Sequence, residues 1–312
     1  MKSWGQKMKI SDFPKYKKEF GFKSAWHYFY NNFMFKLTKN VKFKQRVYDK
    51  IEKYLDEKYG HLLVENKEEN SLDKDFKVWV FWWQGEEKAP AVVKKCIETV
   101  KNNFKNNEVV VIDKDNYKKF ADIPEHIIKK VENKIITLTH FSDILRATLL
   151  SAHGGVWMDA TIYMTSPIDK DIEGCKFYSN HLPENKEYQK FISKAKWSAF
   201  FLAGGKGNAI FVNLRNILFE YWKTHNYLVD YFLIDYIIYL EYSKCDAIKK
   251  MIDAVPINNI NIHEGGTKLF EKYSDELYEE LTKDTKMFKL TYKHDPKKFE
   301  IENTLYKKLM EK

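Results

Sequence analysis

Three groups of side chains have types and spacings suited to chemistry on a charged ligand. The first is Asp143 and Arg146, three residues apart in Phe141-Ser-Asp-Ile-Leu-Arg146. On a helix this spacing puts both on one face, with Ile144, Leu145, Leu149 and Leu150 on the buried side. A carboxylate can accept from ribose hydroxyls, and a planar guanidinium can hold two phosphate oxygens. A surface ion pair accounts for the same spacing. The second is Asp159, in the otherwise apolar run Val156-Trp-Met-Asp-Ala-Thr-Ile162, which reads as one strand. A carboxylate there is costly unless it is paired or holds a cation. Mg2+ or Mn2+ takes oxygen ligands and bridges phosphates. Thr161, two residues on and so on the same strand face, offers a hydroxyl for a metal-bound water. An Asp capping a turn is the plain alternative. The third is Trp82-Trp83-Gln84-Gly85. Neighbouring strand residues face opposite sides, so one indole can be core while the other stacks on a base. Simple burial of both accounts for them as well.

These residues need elements to hold them. Lys77 to Trp83 reads as a buried strand that ends at Gln84-Gly85. Ala89 to Phe104 has helical spacing, with Pro90 in its first turn. Glu108 to Ile112 is a second strand, and Ile123 to Val131 and Thr139 to His153 are helices, the latter stopped by Gly154-Gly155. Later come short strands at Lys176 to Ser179 and Ala199 to Leu202, helices at Asn208 to His225 and Tyr227 to Tyr242, and a last strand at Met287 to Tyr292. Alternating strands and helices predict an α/β domain with a largely parallel sheet flanked by helices. Ligands of such sheets lie beyond the carboxyl ends of the strands, where all three groups collect. Asp230 and Asp235 fall in the aromatic-rich Tyr227–Tyr242 segment. They are candidates on the acceptor side, or solvated helix carboxylates.

Composition narrows the classes. The chain has 312 residues with 12 Gly and 7 Pro, 16% aromatic and 31% charged, which excludes collagen-like and disordered readings. Cys96, Cys175 and Cys245 are odd in number and far apart, so neither a disulfide framework nor a zinc site is expected, and a reducing, cytoplasmic setting is. The net charge of +9 resides in residues 1–60, which hold 15 Lys/Arg against 6 Asp/Glu. That points to a basic amphipathic helical segment over 1–72, ending in a polar linker from Asn66 to Asp73, ahead of a domain over 73–312. Phe22, Trp26, Phe29, Phe33 and Leu37 form its apolar stripe, bordered by Lys23, Lys36, Lys39, Lys42, Lys44 and Arg46. The stripe either packs on the domain or lies in a membrane interface against anionic headgroups. With no nucleic-acid-binding motif, no nucleic-acid partner is expected. Gly204-Gly-Lys-Gly207 does not have P-loop spacing and shapes a pocket or is a plain loop.

The run from Phe141 to Thr161 resembles the core of the bacterial capsular polysaccharide synthesis glycosyltransferases. These are related to a group of mannosyltransferases and, more distantly, to the glucosylating domain of large clostridial toxins. Val78 to Gly85, Trp197 to Asn208, Asp230 to Asp235, Pro256-Ile-Asn-Asn259 with His263, and Lys289 to Lys293 are similar to further blocks of that family. The resemblance covers roughly residues 75–295. It implies a GT-A fold and transfer of a sugar from a nucleotide diphosphate, a UDP-sugar, to a glycan acceptor with retention of configuration. It also implies a divalent cation, Mn2+ or Mg2+. By this match Trp83 corresponds to the base-stacking residue, and Asp143 and Arg146 to nucleotide-sugar contacts; Trp82, Gln84, Gly85, Gly155, Thr161 and Lys293 are further candidates for binding the nucleotide sugar. Asp159 would be the first Asp of an Asp-x-Asp metal motif. This chain has Thr161 at the second position, so metal binding is expected to weaken or to draw a ligand from elsewhere, with His263, Asp235, Asn258 and His294 as the candidates. A lipid-linked acceptor at the inner face of the plasma membrane would give the basic N-terminal segment a membrane to meet. A sugar-phosphate transferase, a nucleotide-sugar hydrolase and a non-catalytic glycan-binding protein are the competing expectations.

Overall fold

The computed structural model of the protein describes residues 8–65, 70–185 and 187–311. Residues 66–69 of the expected linker lie outside the described residues. Its remainder is docked on the domain: Leu72 is buried and its N–H donates to the Cys175 carbonyl.

Three helices open the chain: α1 (Phe13–Phe20), α2 (Phe22–Thr38) and α3 (Lys42–Tyr59). The α/β part follows with β1 (Lys77–Phe81), α4 (Ala91–Asn103), β2 (Glu108–Ile112), α5 (Glu125–Glu132), α6 (Leu138–His153), β3 (Gly155–Asp159) and β4 (Ile162–Met164). Next come α7 (Asp169–Ile172), β5 (Phe177–Ser179), β6 (Phe201–Gly204), α8 (Ala209–Thr224), α9 (Leu233–Lys244) and α10 (Asp246–Asp253). The described chain closes with α11 (Glu264–Thr267), α12 (Asp275–Thr282), β7 (Met287–Lys289) and α13 (Leu305–Glu311).

The central sheet has the order β2-β1-β3-β6-β5. β1 pairs in parallel with β2 and β3, while β6 is antiparallel to both β3 and β5. Four strands therefore run one way and β6 alone is reversed, so the expected α/β layering around a mainly parallel sheet holds. The strands read as near-continuous apolar runs because both faces are covered: Val78, Trp79, Val80, Val156, Trp157, Met158, Phe201 and Leu202 are all fully buried. A separate two-stranded sheet pairs β4 with β7.

Two expectations change. The strand expected through Ile162 stops at Asp159, and a turn at Ala160-Thr161 sends the chain into the β4–β7 ribbon. The helix expected from Tyr227 starts only at Leu233. Before it, the Asp230 side chain accepts from the Phe232 N–H and makes a turn of its own, a local bond that competes with helix. The N-terminal helices also pack on the α/β part. Tyr16, Ala25, Tyr28, Val47, Ile51 and Leu55 belong to the same apolar cluster as the sheet.

Candidate active site

The register of the sheet decides what meets at its carboxyl edge. Phe81 lies opposite Asp159 on the parallel pair, so Trp82 to Gly85 leave β1 beside that carboxylate. There the chain turns tightly, with the Gly85 N–H donating to the Trp82 carbonyl at 2.9 Å. Gly85 takes a φ of +83°, a region glycine enters without steric cost. Trp83 packs edge-on against Phe141 and Phe81 and tilts against Tyr117. Trp82 meets the edge of Tyr292, and its buried Nε1–H has no hydrogen-bond partner among the described residues. Gln84 is exposed.

Helix α6 supplies the guanidinium. The Thr137 side chain caps its start by accepting from the His140 N–H. Asp143 and Arg146 share a face as their spacing predicts, with Nη1 3.3 Å from Asp143 Oδ1. They are not a surface pair: the Arg146 side chain is only 5% exposed. Its Nη2 donates to Asp159 Oδ1 at 3.1 Å, and its guanidinium lies 4.9 Å from the centre of the Trp157 ring. Arg146 Nε is buried without a hydrogen-bond partner among the described residues.

Asp159 collects three donors. The Trp157 indole reaches Oδ1 at 3.0 Å, beside Arg146. Lys289 Nζ reaches Oδ2 at 2.6 Å and Thr161 Oγ1 at 2.9 Å. Lys289 ends β7, is nearly buried, and lies over the Phe200 ring at 5.0 Å. The Asp159 side chain keeps 28% exposure, so the cluster opens to solvent through the carboxylate. Burial pushes that carboxyl up, but Lys289 and Arg146 outweigh it and hold it below the usual carboxylate range. Asp143 goes the other way. Burial raises it to about 7 against the pull of Arg146, with Asp159 and Asp235 adding to the rise. Asp235 accepts from the Trp197 indole at 3.0 Å, and burial raises it to about 6.

The remaining expected site residues differ in where they sit. Asp230 is buried, and its Oδ2 accepts from the Tyr28 hydroxyl at 2.7 Å, so it anchors α2. Gly155 begins β3 at the strand end opposite Asp159. Its φ is +101°, and a Cβ there would clash with the Lys77 carbonyl oxygen, so the position needs glycine for packing. Gly204, its strand partner, puts the Gly204–Gly207 loop at that same far end. Lys293 is exposed, with its ammonium 5.7 Å from the Tyr292 ring, near Trp82 and not at Asp159. His263 lies edge-on to Phe200, and burial first, then Lys289, lowers it to about 4, so the ring is neutral.

The fit of a divalent cation can be read from these contacts. Both Asp159 oxygens are engaged by cationic groups, and the Thr161 hydroxyl accepts from the same ammonium. Among the described residues no three His, Cys, Asp or Glu side chains are grouped to hold a metal. The residues present therefore do not fit the Asp159, Thr161 and His263 ligand set.

Sequence reasoning missed Lys289. Its signal is the one that singled out Asp159: a lone charge in the apolar run Met287-Phe-Lys-Leu290.

No curated protein matches the chain. A solved structure titled PaToxG Glycosyltransferase is similar at 15% sequence identity and a TM-score of 0.37, over 78% of this chain and 92% of that one. The profile of the family described as capsular polysaccharide synthesis protein matches residues 28–309, from the middle of α2 to the last helix. With the motif run from Phe141 to Thr161 inside it, that match makes the chain a member of the capsular polysaccharide synthesis protein family.

Proposed function

We propose that the protein is a glycosyltransferase. It moves a sugar from a nucleotide diphosphate donor, a UDP-sugar by the family resemblance, to a glycan acceptor in surface polysaccharide assembly. The observation that carries this reading is the convergence of a buried guanidinium on a half-open carboxylate at the carboxyl edge of the sheet, next to the Trp82–Gly85 turn. Breaking a glycosidic C–O bond to a diphosphate passes through an oxocarbenium-like state, and negative charge gathers on the leaving group. Fixed cations aimed at that charge lower the barrier because they need no reorganisation. Trp82 and Trp83 offer aromatic surface for the base. In the retaining course the acceptor hydroxyl attacks the anomeric carbon on the face the diphosphate leaves. The C–O bond to phosphate breaks, the new C–O bond forms, and the acceptor proton passes to the departing phosphate oxygen. Asp235, held by Trp197 and raised to about 6, is the acceptor-side carboxylate.

The acceptor is lipid-linked in this reading, and α2 meets the membrane. No described helix is long and apolar enough to cross a bilayer. Phe22, Trp26, Tyr30, Phe33 and Leu37 are all exposed along one side of α2, while Phe29 turns inward against the core. Exposed Lys23, Lys36, Lys39, Lys42 and Arg46 accompany that side. An apolar helix face with a basic border suits the anionic inner leaflet.

A panel of nucleotide sugars, scored for nucleotide diphosphate released with and without glycan acceptor, tests the reaction. Sugar found on the acceptor supports transfer, free sugar indicates a hydrolase, and phosphosugar indicates a phosphotransferase. No release from any donor rejects the enzyme reading. Co-sedimentation with vesicles containing anionic lipid tests the membrane face, with Trp26→Ser and Phe33→Ser together abolishing it.

A further inference from the structure

We infer that Lys289 does the work of the divalent cation and that donor binding in this protein is independent of metal. The inference rests on the donor reading above. The resemblance implies two carboxylates with a doubly charged ion between them. This chain has one carboxylate and one hydroxyl, and between them lies a singly charged ammonium, 2.6 Å from Asp159 Oδ2 and 2.9 Å from Thr161 Oγ1. Charge balances in both arrangements, since the loss of one negative charge at position 161 is matched by a cation with one positive charge fewer.

The fold fixes the ammonium in place. Lys289 pairs with Ile162 in the β4–β7 ribbon, the Leu290 N–H donates to the Thr161 carbonyl at 2.9 Å, and the Lys289 N–H donates to the Ile262 carbonyl at 2.7 Å. Its side chain is 9% exposed, unlike a lysine that swings through solvent. An ammonium carries three N–H donors. Two are spent on Asp159 and Thr161, which leaves one for a phosphate oxygen entering over the exposed part of the carboxylate. Arg146, on the other Asp159 oxygen, supplies a second cation for the same diphosphate. A divalent ion would have to displace Lys289 from both oxygens and then sit beside two cations, where like charges repel.

The test is calorimetric titration of the full chain with uridine diphosphate and guanosine diphosphate, in EDTA and in Mn2+. The expected result is binding of one of them in EDTA, changed less than about threefold by Mn2+. Lys289→Met is expected to lose at least about tenfold in EDTA, the scale of one charge-assisted contact. Thr161→Asp, which rebuilds the second carboxylate, is expected to gain tighter binding with Mn2+. Wild-type binding that vanishes in EDTA and returns with Mn2+ overturns the inference and leaves the donor reading intact. Absence of binding to any nucleoside diphosphate in either condition overturns both. The wild-type comparison decides the matter even if Lys289→Met fails to fold.

Discussion

Asp159 and Asp230 are both carboxylates in apolar surroundings, and the chain treats them in opposite ways. Asp230 is sealed, and its partners are the Tyr28 hydroxyl and the Phe232 N–H. Those are uncharged donors from a helix and a turn, enough to compensate a buried acceptor and to staple α2 onto the domain. Asp159 receives a guanidinium, an ammonium and an indole, yet stays 28% exposed. Arg146 is shared with Asp143, and Lys289 is a second buried cation on the one carboxylate of the cluster that opens to solvent. In the proposed reading a charged cluster that opens to solvent is where an anionic donor enters, whereas balanced neutral bonding in a sealed place is architecture.

The largest break of this contrast is Asp159→Asn. It leaves Lys289 buried without its counter-charge and Arg146 with Asp143 alone, and donor turnover should fall by about 10²-fold or more. Stability should fall too, by about 3–5 kcal/mol, because a broken buried pair leaves uncompensated charge. Chemical denaturation and turnover per folded molecule separate the two losses. Asp230→Ala should show the reverse signature. We expect a stability loss of about 1–3 kcal/mol from the orphaned Tyr28 hydroxyl and Phe232 N–H, with turnover per folded molecule nearly unchanged. A turnover loss as large as that of Asp159→Asn would return Asp230 to the site.

The cluster also predicts a pH dependence. Asp143 is raised by burial to about 7, so the folded chain holds a proton that the unfolded chain has released. Its contribution to stability therefore declines as pH rises from the ordinary carboxylate range to about 7. Asp159, held low, contributes stability above the ordinary range that is lost as pH falls through its folded value. Asp143→Asn should then gain on the wild type by the order of 1 kcal/mol between pH 5 and 8, measured as urea midpoints at both. A constant difference across that window would show that Arg146 keeps Asp143 ionised. The smallest effect belongs to the α2 face. Trp26→Ser should alter stability by no more than about 0.5 kcal/mol, since a 58% exposed side chain contributes little to the core.

Much of the site was legible because its signals are local. Asp143 and Arg146 are set by helix period, and Asp159 and the Trp82–Gly85 turn by the ends of apolar runs that became β3 and β1. What stayed hidden depends on distant pairing. Lys289 meets Asp159 across 130 residues, through a β4–β7 register that no local pattern announces. Asp230 looked like part of a helix face because its side-chain bond to Phe232 breaks the helix without altering the apolar spacing. Gly155 looked like a ligand glycine because composition does not say which end of a strand faces the cleft. Its need is steric, a close approach to the β1 backbone.

The ribbon of β4 and β7 has a consequence for synthesis. Its later strand begins at Met287, long after β1, β2 and β3. A nascent polypeptide can form β1, β2 and β3 while Asp159 still lacks its ammonium partner. Until translation passes residue 289 the cluster is unfinished, and any product released earlier holds Asp159 with Arg146 and Trp157 alone. Early stop codons should therefore yield inert, protease-sensitive fragments, not partially active enzyme.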